Sequence, residues 1–109
     1  MDCIFCKIAN KELPAKIVFA DENFVAFDDI NPKAPVHILI VPRRHIFSVD
    51  HLEREDKELI GEMILAAKKI AGERQLAGYK LQINVGRGGG QLVDHLHLHL
   101  LSGNITGEV

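Results

Sequence analysis

The stretch Asp94-His95-Leu96-His97-Leu98-His99-Leu100-Leu101 decides how the chain is read. Side chains of a β-strand point alternately to opposite faces. In an extended backbone Leu96, Leu98 and Leu100 share one face, and His95, His97 and His99 share the other. Half of the six histidines line up this way, about 6–7 Å apart at roughly 3.3 Å of rise per residue. The leucine face suits a core. Three aligned imidazoles have no packing purpose and mark the other face as chemical.

Immediately upstream, Gly86, Gly88, Gly89 and Gly90 make a glycine-rich turn across residues 86–91, and residues 81–85 lead into it as a strand. Farther back, apolar residues recur at helical spacing across residues 55–76: Leu59, Ile60, Met63, Ile64, Ala67, Ile70 and Ala71. Glu58, Glu62, Lys68, Lys69 and Glu73 take the other side, which predicts an amphipathic helix with one buried face, stopping at Gly78. Residues 36–41, Val-His-Ile-Leu-Ile-Val, are apolar on both faces and predict a central strand, ended by Pro42 and carrying His37 inside it. Residues 29–35 hold Pro32 and Pro35 and read as a loop. Before them, 17–20 and 24–28 are short β-prone runs with Asp21-Glu22-Asn23 as a hairpin turn, and residues 4–10 suit a short helix. With residues 93–101 as the histidine strand, the expectation is an α+β fold: a five-stranded antiparallel sheet with one long and one short helix.

At 109 residues the chain is the size of a single domain, 1–109. Its 47% hydrophobic and 26% charged residues are ordinary for a globular protein. Thirteen basic against fifteen acidic residues, with no Lys/Arg cluster, argue against nucleic acid as the primary ligand. A nucleotide-sized ligand is still compatible, because local donors can hold one phosphate. No apolar run approaches the roughly 20 residues that span a bilayer, so no membrane association is expected. The first residues carry no charged segment followed by an apolar one, and the expected location is the cytoplasm. Two cysteines in that setting are thiols or metal ligands rather than a structural disulfide.

Two chemistries compete for the histidine face. Histidines at i and i+2 can share a Zn²⁺, or one imidazole can act as a nucleophile tuned by its neighbours. The glycine turn favours the second, because its free N–H groups form an anion-binding nest and glycine allows close backbone approach. Cys3-Ile4-Phe5-Cys6 supplies half of a tetrahedral metal site; no βαβ context surrounds it to suggest a redox pair. His45 and His95 are the candidates to complete a structural zinc site, which leaves His97 and His99 for chemistry.

These residues resemble the histidine triad superfamily, whose signature is His-φ-His-φ-His-φ-φ with φ apolar. Here it reads His95-Leu96-His97-Leu98-His99-Leu100-Leu101. Further matches are Cys3-Ile4-Phe5-Cys6-Lys7-Ile8, Phe27-Asp28-Asp29-Ile30-Asn31-Pro32, Ala34-Pro35-Val36-His37, Pro42-Arg43-Arg44-His45, Asn84 and Gly89-Gly90-Gln91. Together they are similar to the zinc-containing bacterial members of the Hint-like branch. The resemblance implies a homodimer joining two sheets, and reaction at the α-phosphorus of a purine nucleotide such as an AMP derivative. It assigns His97 as the nucleophile that becomes nucleotidylated, with His99 and His37 orienting it and binding phosphate. Asn84 and backbone N–H groups near Gln91 and Val93 would also hold the phosphate. Asp29 would bind the ribose hydroxyls, and Ile4, Phe5, Ile8, Phe27 and Ile30 would form the base pocket. Cys3, Cys6, His45 and His95 match the zinc ligands. No organic cofactor is implied. The substrate class would be purine nucleoside phosphoramidates or related adenylated compounds; dinucleoside polyphosphate hydrolysis and a low-activity nucleotide-binding adapter are the alternatives. Leu92 replaces the usual Ser or Thr that helps protonate the leaving group, and Asp94 replaces an aromatic residue or Asn.

Overall fold

The structure, a computed structural model, describes residues 3–105. Helix α1 (Ile4–Ala9) is followed by strands β1 (Ile17–Ala20), β2 (Phe24–Asp28) and β3 (Val36–Pro42). Short 3-10 turns at Val49–His51 and Arg54–Asp56 lead into helix α2 (Lys57–Glu73), then β4 (Lys80–Gln82), a 3-10 turn at Arg87–Gly89, and β5 (Leu98–Ser102). The five strands form one sheet in the order β1-β2-β3-β5-β4, and every pair is antiparallel. No helix among the described residues is long and apolar enough to cross a membrane.

Strand alternation distributes the side chains between two layers. Phe24 and Ala26 of β2, Ile38 and Ile40 of β3, and Leu98 and Leu100 of β5 pack with Met63, Ala66, Ala67 and Ile70 of α2. Val25, Phe27, Leu39 and Val41 face the other way and pack with Cys3, Phe5, Ile8 and Ala9 around α1. β3 is apolar on both faces because both faces are covered. In its register Leu39 lies opposite His99, and His37, two residues from Leu39, shares that second face. The hairpin turn forms as read: the Asp21 carboxylate accepts from Asn23 N–H at 2.8 Å and Phe24 N–H at 2.7 Å.

Several boundaries differ from the sequence expectation, each for a local reason. The histidine strand is regular only over Leu98–Ser102, so His95 and His97 lie on an extended arm before it. The register would set Pro42 opposite Leu96, but Pro42 has no N–H to donate. Its carbonyl accepts instead from His95 Nε2 at 2.8 Å, and Leu96 N–H goes to Ile46 O at 2.7 Å. The leucine alternation survives, with Leu96, Leu98 and Leu100 all in the core. β4 is shorter than 81–85, since its pairing partner β5 starts late. α2 ends at Glu73 rather than near Gly78. Leu76 N–H bonds Ala71 O at 3.0 Å and Gln75 N–H bonds Gly72 O at 3.1 Å, a Schellman motif with Gln75 in the left-handed position at φ 57°. Ile64 is 40% exposed and lies off the buried face of α2.

Candidate active site and metal centre

Hydrogen bonds to backbone atoms fix the proton positions on the histidines. His97 Nδ1 lies 2.7 Å from the carbonyl of His95. A carbonyl only accepts, so Nδ1 carries the proton and Nε2 keeps a free lone pair. His37 Nδ1 accepts from Lys33 N–H at 3.0 Å, which puts the His37 proton on Nε2. That Nε2–H donates to His99 Nδ1 at 2.9 Å. The His99 proton is thereby placed on Nε2, which is buried and has no hydrogen-bond partner. The His97 and His99 rings stand 4.9 Å apart between centroids. A nucleophile's lone pair and an unused donor thus sit side by side.

Burial keeps these rings neutral. It pushes His97 below the usual histidine range, against the pull of the His95 carbonyl and of Asp29. His37 is lowered mainly by burial, with Asp29 opposing. His99 falls to about 4, through burial first and then through the neighbouring His97 and His37. A neutral imidazole is the form able to attack phosphorus.

Phe5, Ile8 and Phe27 share the second apolar cluster. The Phe5 ring meets Phe27 edge-on at 5.4 Å and His97 edge-on at 5.1 Å. Asp29 is half-buried, with Oδ2 3.5 Å from His37 Nε2 and Oδ1 accepting from Asn31 N–H at 2.8 Å. Ile4 and Ile30 are exposed at 46% and 87%, outside that cluster. Asn84 accepts from Gln82 Nε2 at 2.8 Å, across from the glycine turn. That turn is bounded by Gly86 at φ 68° and Gly90 at φ 88°, conformations that favour glycine.

Gln91 has a scaffolding part that its position in the sequence does not announce. It is 1% exposed. Its amide donates to Phe47 O at 2.7 Å and Val93 O at 2.9 Å, and accepts from Gly86 N–H at 2.9 Å. Its own N–H is committed to Gly86 O. Gln91 therefore shapes the loop, whereas Val93 N–H is left without a partner among the described residues. Arg87 holds the same loop from outside, bonded to Gln91 O and paired with Asp94 at 2.8 Å. Lys33 N–H, Pro42 O and the Arg87–Asp94 pair were invisible in the sequence, the first two because backbone atoms carry no residue signature.

A second cluster lies behind the first. Cys3 Sγ is 3.2 Å and Cys6 Sγ 3.5 Å from His95 Nδ1. His45 Nδ1 is 3.5 Å from Cys6 Sγ and 3.2 Å from His95 Nδ1. The four atoms lie within 4.8 Å of one another and can hold a metal ion. The donor chemistry fits. His95 donates Nε2–H to Pro42 O, so its Nδ1 lone pair points into the cluster, the usual outer-shell arrangement of a ligating histidine. Tetrahedral Zn²⁺, with bonds of about 2.0–2.1 Å to nitrogen and 2.3 Å to sulfur, has edges of roughly 3.3–3.8 Å. Burial, together with the neighbouring Cys3, pushes the Cys6 thiol up to about 11. Two thiolates there require a cation. Asp29, His37 and His99 also converge within 4.8 Å. There the Lys33 bond leaves a proton on His37 Nε2, the atom a metal would need, so that trio is a proton-bonded chain.

Comparison with known proteins agrees with this geometry. A family model described as scavenger mRNA decapping enzyme C-term binding matches residues 2–109. The fold superimposes on a histidine triad protein from Clostridium difficile with TM-score 0.96 at 40% identity, covering 100% of this chain and 96% of that one. A HIT family hydrolase from Legionella pneumophila Philadelphia 1 gives TM-score 0.93 at 48% identity, covering 95% of both chains. The chain belongs to the histidine triad (HIT) family. Among curated relatives it is 48% identical to protein HitA of Neisseria gonorrhoeae, over 92% of this chain and 94% of the relative. It is 44% identical to the purine nucleoside phosphoramidase of Escherichia coli (strain K12), over 99% of this chain and 92% of that enzyme.

Proposed function

We propose that the protein hydrolyses purine nucleoside phosphoramidates or related adenylated compounds through a nucleotidyl-histidine intermediate. The observation that carries this reading is the free Nε2 lone pair of His97 beside the unpartnered Nε2–H of His99. His97 Nε2 attacks the α-phosphorus, the phosphorus–nitrogen bond to the leaving amine breaks, and the amine departs with a proton taken from solvent. Water then attacks the same phosphorus and returns a proton to solvent, the bond to His97 breaks, and the nucleoside monophosphate is released. His99 Nε2–H and Val93 N–H donate to the phosphoryl oxygens as charge builds on them. His37 holds His99 in the required tautomer, and Asn84 flanks the phosphate. Gln91 acts through the loop it braces. Asp29 takes the ribose hydroxyls, with Phe5, Ile8 and Phe27 around the base and Ile4 and Ile30 at its outer edge. The likeness to the E. coli phosphoramidase supports the substrate class.

Cys3, Cys6, His45 and His95 would hold a structural zinc. A closed set of four ligands supplies folding energy and no open position for substrate. Two chains would associate as a homodimer. The test is incubation with an adenosine phosphoramidate panel, acid quench and peptide mapping. Adenylate should be found on His97; His97→Ala should lose turnover and adenylation while still binding AMP. Comparable turnover in that variant would refute the mechanism.

A further inference from the structure

We infer that Phe5 is a positioning residue through which the metal centre sets the affinity of the nucleotide site. The inference rests on the nucleotide reading above. α1 is only six residues long, and a helix that short does not hold itself together in water. Cys3 caps it, its sulfur accepting from Cys6 N–H at 3.4 Å, and both thiols turn toward His95 Nδ1. Phe5 stands between those thiols in the first turn. Its ring bridges two histidines edge-on, His95 at 5.9 Å and His97 at 5.1 Å, while also meeting Phe27 at 5.4 Å. The same ring is therefore a wall of the nucleotide pocket and a neighbour of both the metal corner and the nucleophile.

Ties at the far end of α1 do not involve the metal corner. Arg43 Nη1 donates to Ala9 O at 3.0 Å, and Ile8 and Ala9 pack in the second cluster. With metal bound, the ligands would pin the first turn and fix the Phe5 ring against His97. With metal removed, thiol–imidazole contacts and apolar packing hold the Cys3–Cys6 side of that turn less tightly, and the Phe5 ring can shift away from His97. An aromatic edge contact of this kind is worth about two- to tenfold in an equilibrium constant.

The experiment compares zinc-loaded and chelator-treated full-length protein, in the wild type, Phe5→Leu and Phe5→Ala. AMP affinity is read by calorimetry, fold by far-UV circular dichroism, and the Phe5 ring-current shift on the His97 ring protons by NMR. The expected result is a roughly two- to tenfold weaker AMP affinity on metal removal in the wild type, with the fold retained and the His97 shift moving. Phe5→Leu should start weak and respond little to the metal. Phe5→Leu decides this arm if Phe5→Ala fails to fold. Unchanged AMP affinity, an equal loss in Phe5→Leu, or global unfolding on chelation would overturn the inference. If zinc-loaded wild type binds no AMP, the nucleotide reading falls. The His97 ring-proton shift then decides the coupling by itself: movement on chelation supports it, and no movement overturns it.

Discussion

Replacing Gln91 by Met tests whether the glycine loop is braced from beneath. The substitution keeps an unbranched side chain of similar size and removes only the amide. Three hydrogen bonds are lost, those to Phe47 O, Val93 O and Gly86 N–H. Each neutral bond contributes a net ~1 kcal/mol, about 3 kcal/mol in all. Phe47 and Gly86 are exposed and Val93 is half-buried, so water can reach the orphaned groups and no larger penalty applies. The buried thioether returns ~0.8 kcal/mol by removing one more apolar group from water. The expected loss is therefore ~2 kcal/mol, read as a lower urea midpoint at unchanged slope and fixed protein concentration. For a chain of this size the melting temperature should fall by roughly 8–12 °C. Amide exchange at Gly86 should accelerate beyond the global loss, and kcat/KM should drop. A stability change under ~0.5 kcal/mol, with Gly86 exchange unaltered, would refute the reasoning.

Leu92→Ser should raise hydrolysis of an alkyl phosphoramidate more than that of an activated ester, because only the poor leaving group needs a proton donor; general acids contribute roughly 10²–10⁴-fold. Leu92 is 82% exposed, so equal changes for both substrates, or none, would show that it merely lines the entrance. Stability should be greatest above the unfolded histidine pKa of about 6.5 and fall as pH drops toward about 4, the folded value of His99. In that window the unfolded chain binds protons that the buried rings refuse; urea midpoints across it should slope less in His99→Leu. The purified protein should carry about one zinc per chain, with Cys3 and Cys6 unreactive toward thiol reagents until a chelator removes it. Elemental analysis without zinc, and two freely titrating thiols, would dismiss the metal.

The period-two pattern of residues 94–101 was enough to divide the sheet into a leucine face and a histidine face, since burial on one side pins strand register. The two-sided apolar run at 36–41 likewise located the central strand. What stayed hidden depended on single backbone atoms. The histidine strand starts only at Leu98 because Pro42 cannot continue the ladder, and a reading of side-chain periodicity sees no difference between a paired strand and an extended arm. α2 stops at a left-handed Gln75, a conformation usually expected of Gly or Asn. Gly78 was therefore the more visible but wrong stop. The site shows the same division. His97 and His99 were legible as imidazoles on one face and His37 through the family resemblance, whereas their tautomers follow from Lys33 N–H and His95 O. Ile30 carries an apolar side chain, yet the loop around Pro32 leaves it in solvent.

The carbonyl of Pro42 ends β3 and also fixes the His95 ring. A sheet whose β3 and β5 inner faces meet through Ile38, Ile40, Leu98 and Leu100 has little means of rejecting a slip of two residues, because such a slip returns each leucine to the same face. The corner formed with Cys3, Cys6 and His45 does discriminate. A two-residue slip would carry His95 about 6–7 Å from its carbonyl and open the four-ligand set. Metal uptake would then work as a checksum on strand alignment: only chains whose two central strands had met in the correct frame could close the site and retain an ion.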